Sequence, residues 1–247
     1  MKYLKLFESF DDDIKSICDE LNITNWTVNS DGTIDVDGDV WLVSKELKKL
    51  PLKFGKVSGN FYCYDNQLTN LEGGPNRVSG EFDCSTNQLT SLLGGPKEVG
   101  GSFYCYDNKL TTLEGALREV GGDFWCEGNL LISLEGAPRE VGRDFNCEKN
   151  NLITLEGAPN HVGGNFDCDG NKLISLEGAP KVVGGNFWCN GNPIFAVYCL
   201  FPNYKSLMDS MDYNYLRGNK IDRKRLEEAL DEIGQQIPDN IIGWDWI

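Results

Sequence analysis

The chain is poor in basic residues, in long apolar runs and in histidine. Its 23 Lys and Arg are outnumbered by 38 Asp and Glu, which leaves a formal net charge of −15 at pH 7. Because DNA, RNA and anionic membranes are negatively charged, this balance argues against direct binding to any of them and favours a basic partner. The apolar runs are far shorter than a membrane-spanning helix requires.

Two further absences limit the possible functions. Residues 1–10 carry no sustained apolar segment before an acidic triplet, so we expect no signal peptide. His161 is the sole histidine, and its position in a turn predicts an ordinary surface residue. Cys199 has no histidine near it in sequence, which argues against a catalytic cysteine there.

What the chain has is a pattern that returns every 21 residues from Val57 to Asn192. A fixed period of this size indicates stacked units, none of which can bury its apolar side alone. Phe followed two residues later by Cys predicts a short strand with both side chains inward, and stacking makes these strands a parallel sheet. The Asn three residues on can donate to and accept from backbone groups of the next coil. The slots are filled by Phe61, Phe82, Phe103, Phe124, Phe145, Phe166 and Phe187; by Cys63, Cys84, Cys105, Cys126, Cys147, Cys168 and Cys189; and by Asn66, Asn87, Asn108, Asn129, Asn150, Asn171 and Asn192.

The order Phe-x-Cys-x-x-Asn-x-Leu-x-x-Leu resembles the leucine-rich repeat, in the short form found in bacteria and phages. The resemblance implies a repeat solenoid wound as a right-handed superhelix, with one parallel β-sheet on the concave side, an extended and turn-rich convex side, and helical caps at both ends. It also implies that the concave face binds proteins. One repeat departs from the rest, because Leu117 stands where the others carry Pro75, Pro96, Pro138, Pro159 and Pro180.

The period also sets the expected boundaries. Residues 1–35 form the predicted N-terminal cap, with a helix from Ser9 and a hairpin of Trp26–Val28 with residues 33–36. Residues 36–192 form the solenoid, with about seven regular coils after one degenerate coil. Residues 193–247 form a helical C-terminal cap, on which we expect Trp244 and Trp246 to pack.

The repeated cysteines are interpreted as small core residues. Neighbours would lie about 4.8 Å apart, within reach of a disulfide on distance alone, but buried thiols react little and a single file offers no convergent metal ligands. We therefore expect no metal and no cofactor. The nine cysteines form no readable disulfide framework and indicate a reducing cytoplasm. Leu6-Phe7-Glu8 resembles the site cut by phage prohead proteases, which makes packaging into a virion the alternative location.

Function is sought in the outward positions of the sheet, where the repeats differ. Acidic and aromatic side chains dominate there. Tyr and Trp supply contact area, and a file of carboxylates steers a basic protein. We therefore predict a non-enzymatic, monomeric interaction module, and the expected contact residues are Tyr62, Tyr64, Asp83, Tyr104, Tyr106, Asp123, Trp125, Glu127, Asp144, Asn146, Glu148, Asp167, Asp169 and Trp188.

Two alternatives for this face and one for the whole chain stay open. The acidic file could mimic nucleic acid and occupy a DNA-binding protein, in which case binding should be steeply salt-sensitive. The aromatic residues could instead bind sugars, with Asp167 and Asp169, or Glu127 and Glu148, as an acid and base; no apolar pocket is evident that would separate their pKa values. An effector enzyme is least favoured, because the 55 residues after Asn192 are too few for a catalytic domain.

Overall fold

Short stacked strands make up most of the chain. A computed structural model describes residues 2–174, 176–192, 216–217, 220–221 and 245–246. The elements are one helix, α1 (Lys2–Leu21), and the strands β1 (Trp26–Val28), β2 (Ile34–Val36), β3 (Val40–Trp41), β4 (Phe54–Val57), β5 (Phe61–Tyr62), β6 (Arg77–Val78), β7 (Phe82–Asp83), β8 (Glu98–Val99), β9 (Phe103–Tyr104), β10 (Glu119–Val120), β11 (Phe124–Trp125), β12 (Glu140–Val141), β13 (Phe145–Asn146), β14 (His161–Val162), β15 (Phe166–Asp167), β16 (Val182–Val183), β17 (Phe187–Trp188), β18 (Leu216–Arg217), β19 (Lys220–Ile221) and β20 (Asp245–Trp246).

The chain forms a β-solenoid of about seven turns with a spacing of about 21 residues. Eight parallel strands stack in the order β3, β5, β7, β9, β11, β13, β15, β17. Each Phe is in register with the Phe of the next coil, and Val40 is in register with Phe61. The predicted parallel stacking is therefore confirmed, and Val40 continues the ladder one period before Phe61. The outward side of this eight-stranded sheet is called the front face below.

The prediction of one sheet is wrong, because the Val that closes each unit also lies in a paired strand. β2, β4, β6 and β8 pair in parallel, with β1 at the edge of their sheet, and β10, β12, β14 and β16 form a separate parallel sheet. The side predicted as extended chain and turns thus carries strands of its own, called the second face below. Val78 and Val141 are buried on it, while Arg77 and Glu140 point outward.

The second face is interrupted between β8 and β10, next to Leu117. Elsewhere the N–H of the residue after Val donates to the carbonyl of a Val one coil earlier, as Gly142 does to Val120 at 2.9 Å. Among the described residues, Gly121 N–H has no such bond to Val99. A groove of about 620 Å³ lies over this break, and its lining includes Lys97, Arg118, Glu119 and His161. Among the regular repeats, the one without Pro is the one at which the second sheet opens.

Three ladders hold the coils together. The Phe rings stack with centroids 5.3 Å apart between Phe145 and Phe166, and the Cys side chains lie buried beside them. The Asn ladder is the third. The side-chain oxygen of Asn87 accepts from the N–H of Leu68 at 2.9 Å, and its amide donates to the carbonyl of Cys63 at 3.0 Å. The predicted satisfaction of backbone groups is confirmed, but the partners lie in the preceding coil rather than the next.

The two ends differ from the sequence-based expectations. Helix α1 begins at Lys2 rather than Ser9, and its Ile14 and Cys18 are buried in the same core as the coils. β1 and β2 form an antiparallel hairpin. At the other end β18, β19 and β20 form a small sheet where we expected only helices. The helix expected around residues 226–233 lies outside the described residues. No helix of the described chain is both long and apolar enough to cross a membrane.

Candidate partner-binding face

The front face carries two separate aromatic clusters. The alternation of each strand turns Phe and Cys inward, so the residue after each of them lies on the front face. In the first cluster the rings of Trp41 and Tyr62 lie 4.4 Å apart between centroids, and Tyr62 and Tyr64 lie 6.3 Å apart. Trp41 is 54% exposed. The Tyr62 hydroxyl donates to Glu81 at 3.1 Å, and burial together with this bond raises the pKa of Tyr62 to about 12.

The second aromatic cluster lies two coils further along. The Tyr104 and Trp125 rings are 5.1 Å apart, and the Tyr106 and Trp125 rings are 6.5 Å apart. All three side chains are half-buried. Trp188, 40% exposed, stands three coils beyond Trp125. Five of the predicted contact residues are thus brought together as two contact patches, and Trp188 lies apart from both.

The coil between the clusters has no exposed ring. Asp83 is only 8% exposed, and its carboxylate accepts from the N–H and hydroxyl of Ser85 at 2.9 and 2.5 Å. Burial raises the pKa of Asp83. This side chain was predicted as a contact residue, but the structure places it beneath the surface. Asn146 and Asp167 likewise accept the N–H two residues on, each at 2.9 Å.

Three other predicted carboxylates hold neighbouring coils together. Asp123 accepts from the N–H of Asp144 at 3.0 Å, and Asp144 accepts from the N–H of Asn165 at 2.7 Å. Asp169 accepts from the N–H of Asn190 at 2.5 Å. Because these oxygens already bind backbone groups of the next coil, much of their role is structural. Among the predicted contact carboxylates, those of Glu127 and Glu148 hold no neighbouring coil in this way.

Glu127 is an acid of the front face whose carboxyl group is partly buried. Its Oε2 is buried and has no hydrogen-bond partner among the described residues. Burial, followed by the charges of Glu148 and Asp107, raises the pKa of Glu127 to about 7. Glu148 itself receives Lys149 at 2.5 Å. Burial also raises the pKa of Asp167 to about 6.

The sequence analysis missed two exposed features. Trp41 occupies the slot one period before Tyr62, so extending the front-face register into the degenerate coil would have found it. A strip of exposed apolar side chains lies after the inward Leu in the later coils, where earlier coils carry Thr. Repeat alignment of this slot would have shown the change. The strip consists of Ile132, Ile153 and Ile174, and the exposed Leu130 lies beside it, just before the inward Leu131.

The face shows no metal centre in the part of the chain that is described: no group of three or more His, Cys, Asp or Glu side chains is placed to hold an ion. The eight described cysteines are buried and free. Burial raises the pKa of each repeat thiol, which keeps it protonated and unreactive. Comparison with protein-family models, curated proteins and solved structures gives no match.

Proposed function

We propose that the protein is a non-enzymatic interaction module whose front face binds a basic protein partner. The observation that carries the proposal is the pair of aromatic clusters on a sheet face of a protein with a net charge of −15. Partly exposed rings of this size bury further apolar area when a partner covers them. The surrounding carboxylates would attract a basic surface and orient it.

The test is a pull-down from lysate with three forms of the protein. The front-face variant carries Tyr62→Ala and Trp125→Ala. The control carries Ile132→Ala and Ile153→Ala, which removes two exposed apolar side chains outside the aromatic clusters. We expect a stoichiometric, basic protein with the native chain and the control, and its loss with the front-face variant. Retention by all three folded proteins would contradict the proposal.

The same complex separates two modes of binding. If the aromatic clusters dominate the affinity, raising the salt concentration should weaken binding only mildly. If the carboxylates imitate the phosphates of a nucleic acid, binding should fall steeply with salt and be displaced by DNA. The structure favours the first mode, because Asp83, Asp123 and Asp144 direct oxygens to groups of their own chain.

A carbohydrate groove is the second candidate. The observation that favours it is the exposed ring of Trp41 beside Tyr62, because the flat face of one aromatic ring suits a sugar ring. The raised pKa of Glu127 would suit a general acid. Binding to a glycan array that is lost with Trp41→Ala would support this candidate. If the native chain binds no glycan, the protein-binding proposal stays in place.

The finer class and setting form part of the same proposal. The coils would be leucine-rich repeats of the short bacterial and phage type, wound as a right-handed superhelix with the front face concave and helical caps. The Asn ladder supports this assignment, because it satisfies the loop backbone of a neighbouring coil. In that setting the protein would act in a bacterial cytoplasm as an inhibitor of the protein it binds. A crystal structure of the complex tests both handedness and binding face.

A further inference from the structure

The carboxyl group of Glu127 is the one buried polar side-chain group on the described chain that contains an unsatisfied oxygen. An oxygen that has lost water and gained no donor carries a desolvation cost, so such positions are rare in folded proteins. Lys149, the basic residue that acts on Glu127 within the described part of the chain, is bound to Glu148 instead and is largely exposed. The described part of the protein therefore leaves the Oε2 atom of Glu127 without a donor.

Aromatic rings stand beside this carboxyl group. Tyr106 is one period before Glu127 and Glu148 one period after it, so the three side chains follow one another across neighbouring coils about 4.8 Å apart. Trp125 lies two residues before Glu127 in the same coil, and its ring is 6.5 Å from that of Tyr106. A donor that reaches Glu127 from outside would thus meet aromatic side chains at two neighbouring positions of the front face.

We infer that Glu127, with Tyr106 and Trp125, receives one arginine side chain of the basic partner. The inference rests on the proposed function and names the anchor of that same face. Arginine suits the position because its planar guanidinium can stack on a ring while its N–H groups point at a carboxylate. It also brings the donors that the Glu127 oxygen lacks.

Binding at this position is linked to protonation. The pKa of Glu127 is raised to about 7, first by burial and then by nearby carboxylates, so near neutral pH the group is partly protonated. A guanidinium favours the charged form, and binding should release a proton. Affinity should therefore fall as pH is lowered from 8 to 6. The charged and titratable groups around Glu127 are Asp107, Glu148, Lys149, Cys105, Cys126 and Cys147.

A labelled hexa-arginine peptide serves as the probe. Its affinity is measured by anisotropy at pH 8 and pH 6, at constant ionic strength, for the native chain, for Glu127→Gln and for Glu135→Gln. The last removes the same charge from an exposed turn on another side. We expect Glu127→Gln to bind about tenfold more weakly at pH 8 and to lose most of the pH dependence. Glu135→Gln should behave as the native chain.

Calorimetry gives a readout that needs no variant. Titration of the native chain with hexa-arginine at pH 7, in two buffers of different ionisation enthalpy, should show net proton release. Absence of release, or equal affinity of Glu127→Gln and the native chain, would overturn the arginine site. If the arginine site fails but Tyr62→Ala with Trp125→Ala still weakens binding of the natural partner, the proposed function stands. If those two changes have no effect either, the arginine site and the proposed function are both contradicted.

Discussion

Asn129 joins its coil to the preceding one by donating from its side-chain amide to the carbonyl of Cys105 at 3.1 Å. Its oxygen accepts from the N–H of Leu110 at 3.0 Å, and its amide also reaches the carbonyl of Cys126. Asn129→Ala should lower the free energy of unfolding by about 2–4 kcal/mol, because several buried backbone groups lose their partner. Urea denaturation measures the loss. Asn160→Ala, at an exposed turn, should change stability by less than about 0.5 kcal/mol; similar losses for both would contradict the ladder.

Glu127 should make stability fall as pH rises. Its folded pKa of about 7 exceeds the ordinary 4.5, so the native chain keeps a proton between these values that the unfolded chain releases. Glu127→Gln imitates the protonated form. The variant should match the native chain near pH 4 and be more stable by about 1 kcal/mol at pH 8, a value reduced for partial exposure. Denaturant titrations at both pH values test this, and Glu135→Gln should show no such growing difference.

Thr86 occupies a backbone position that suits other residues better. Its φ is +51°, and the same slot holds Asp65, Asp107 and Gly128, also at positive φ. A β-branched residue is strained there, whereas Asn tolerates this conformation. Thr86→Asn should raise the free energy of unfolding by about 0.5–1 kcal/mol in urea titrations. The same change at Thr69, which is not at positive φ, should bring no gain; a gain at both sites would point to another cause.

Leu117 coincides with the break in the second face, which leads to an exchange prediction. The change Leu117→Pro places in this coil the residue that its neighbouring coils carry at the same slot. The N–H of Gly121 should then donate to the carbonyl of Val99, as the N–H of Gly142 donates to the carbonyl of Val120. Amide hydrogen exchange of Gly121 should slow towards that of Gly142. The reverse change, Pro138→Leu, should speed exchange of Gly142. Unchanged exchange in both variants would show that the residue at this slot does not cause the break.

The stacked cysteines should be inert towards thiol reagents in the folded protein. Cys84 donates its thiol to the carbonyl of Tyr104 at 3.4 Å, and burial raises its pKa well above the ordinary value. At pH 8 the eight described cysteines should stay unmodified by iodoacetamide for hours and react fully in denaturant. Peptide mass spectrometry measures each site. Rapid labelling, or a disulfide between neighbouring coils, would contradict the packing.

Much of the solenoid could be predicted because its period is strict. Phe61 and Phe82 lie in register, and Val40 extends that register into the first coil. Repeats of equal length pack best when each position lies beside the equivalent position of the next coil. The front-face positions of Tyr104 and Trp125 followed from alternation alone. The ring distances between them depend on rotamers and could not be predicted.

The sequence by itself determined which residues face inward and which slot of one coil meets which slot of the next. Only the tertiary structure decided that the Val slots pair as well, that Asp83 lies beneath the surface, and that Glu127 has a buried oxygen without a donor. The physical reason is that the period specifies whether a side chain points inward or outward. How deeply it is buried and what it hydrogen-bonds depend on the residues of the adjacent coils. Those neighbours differ from coil to coil at the outward positions where we place binding.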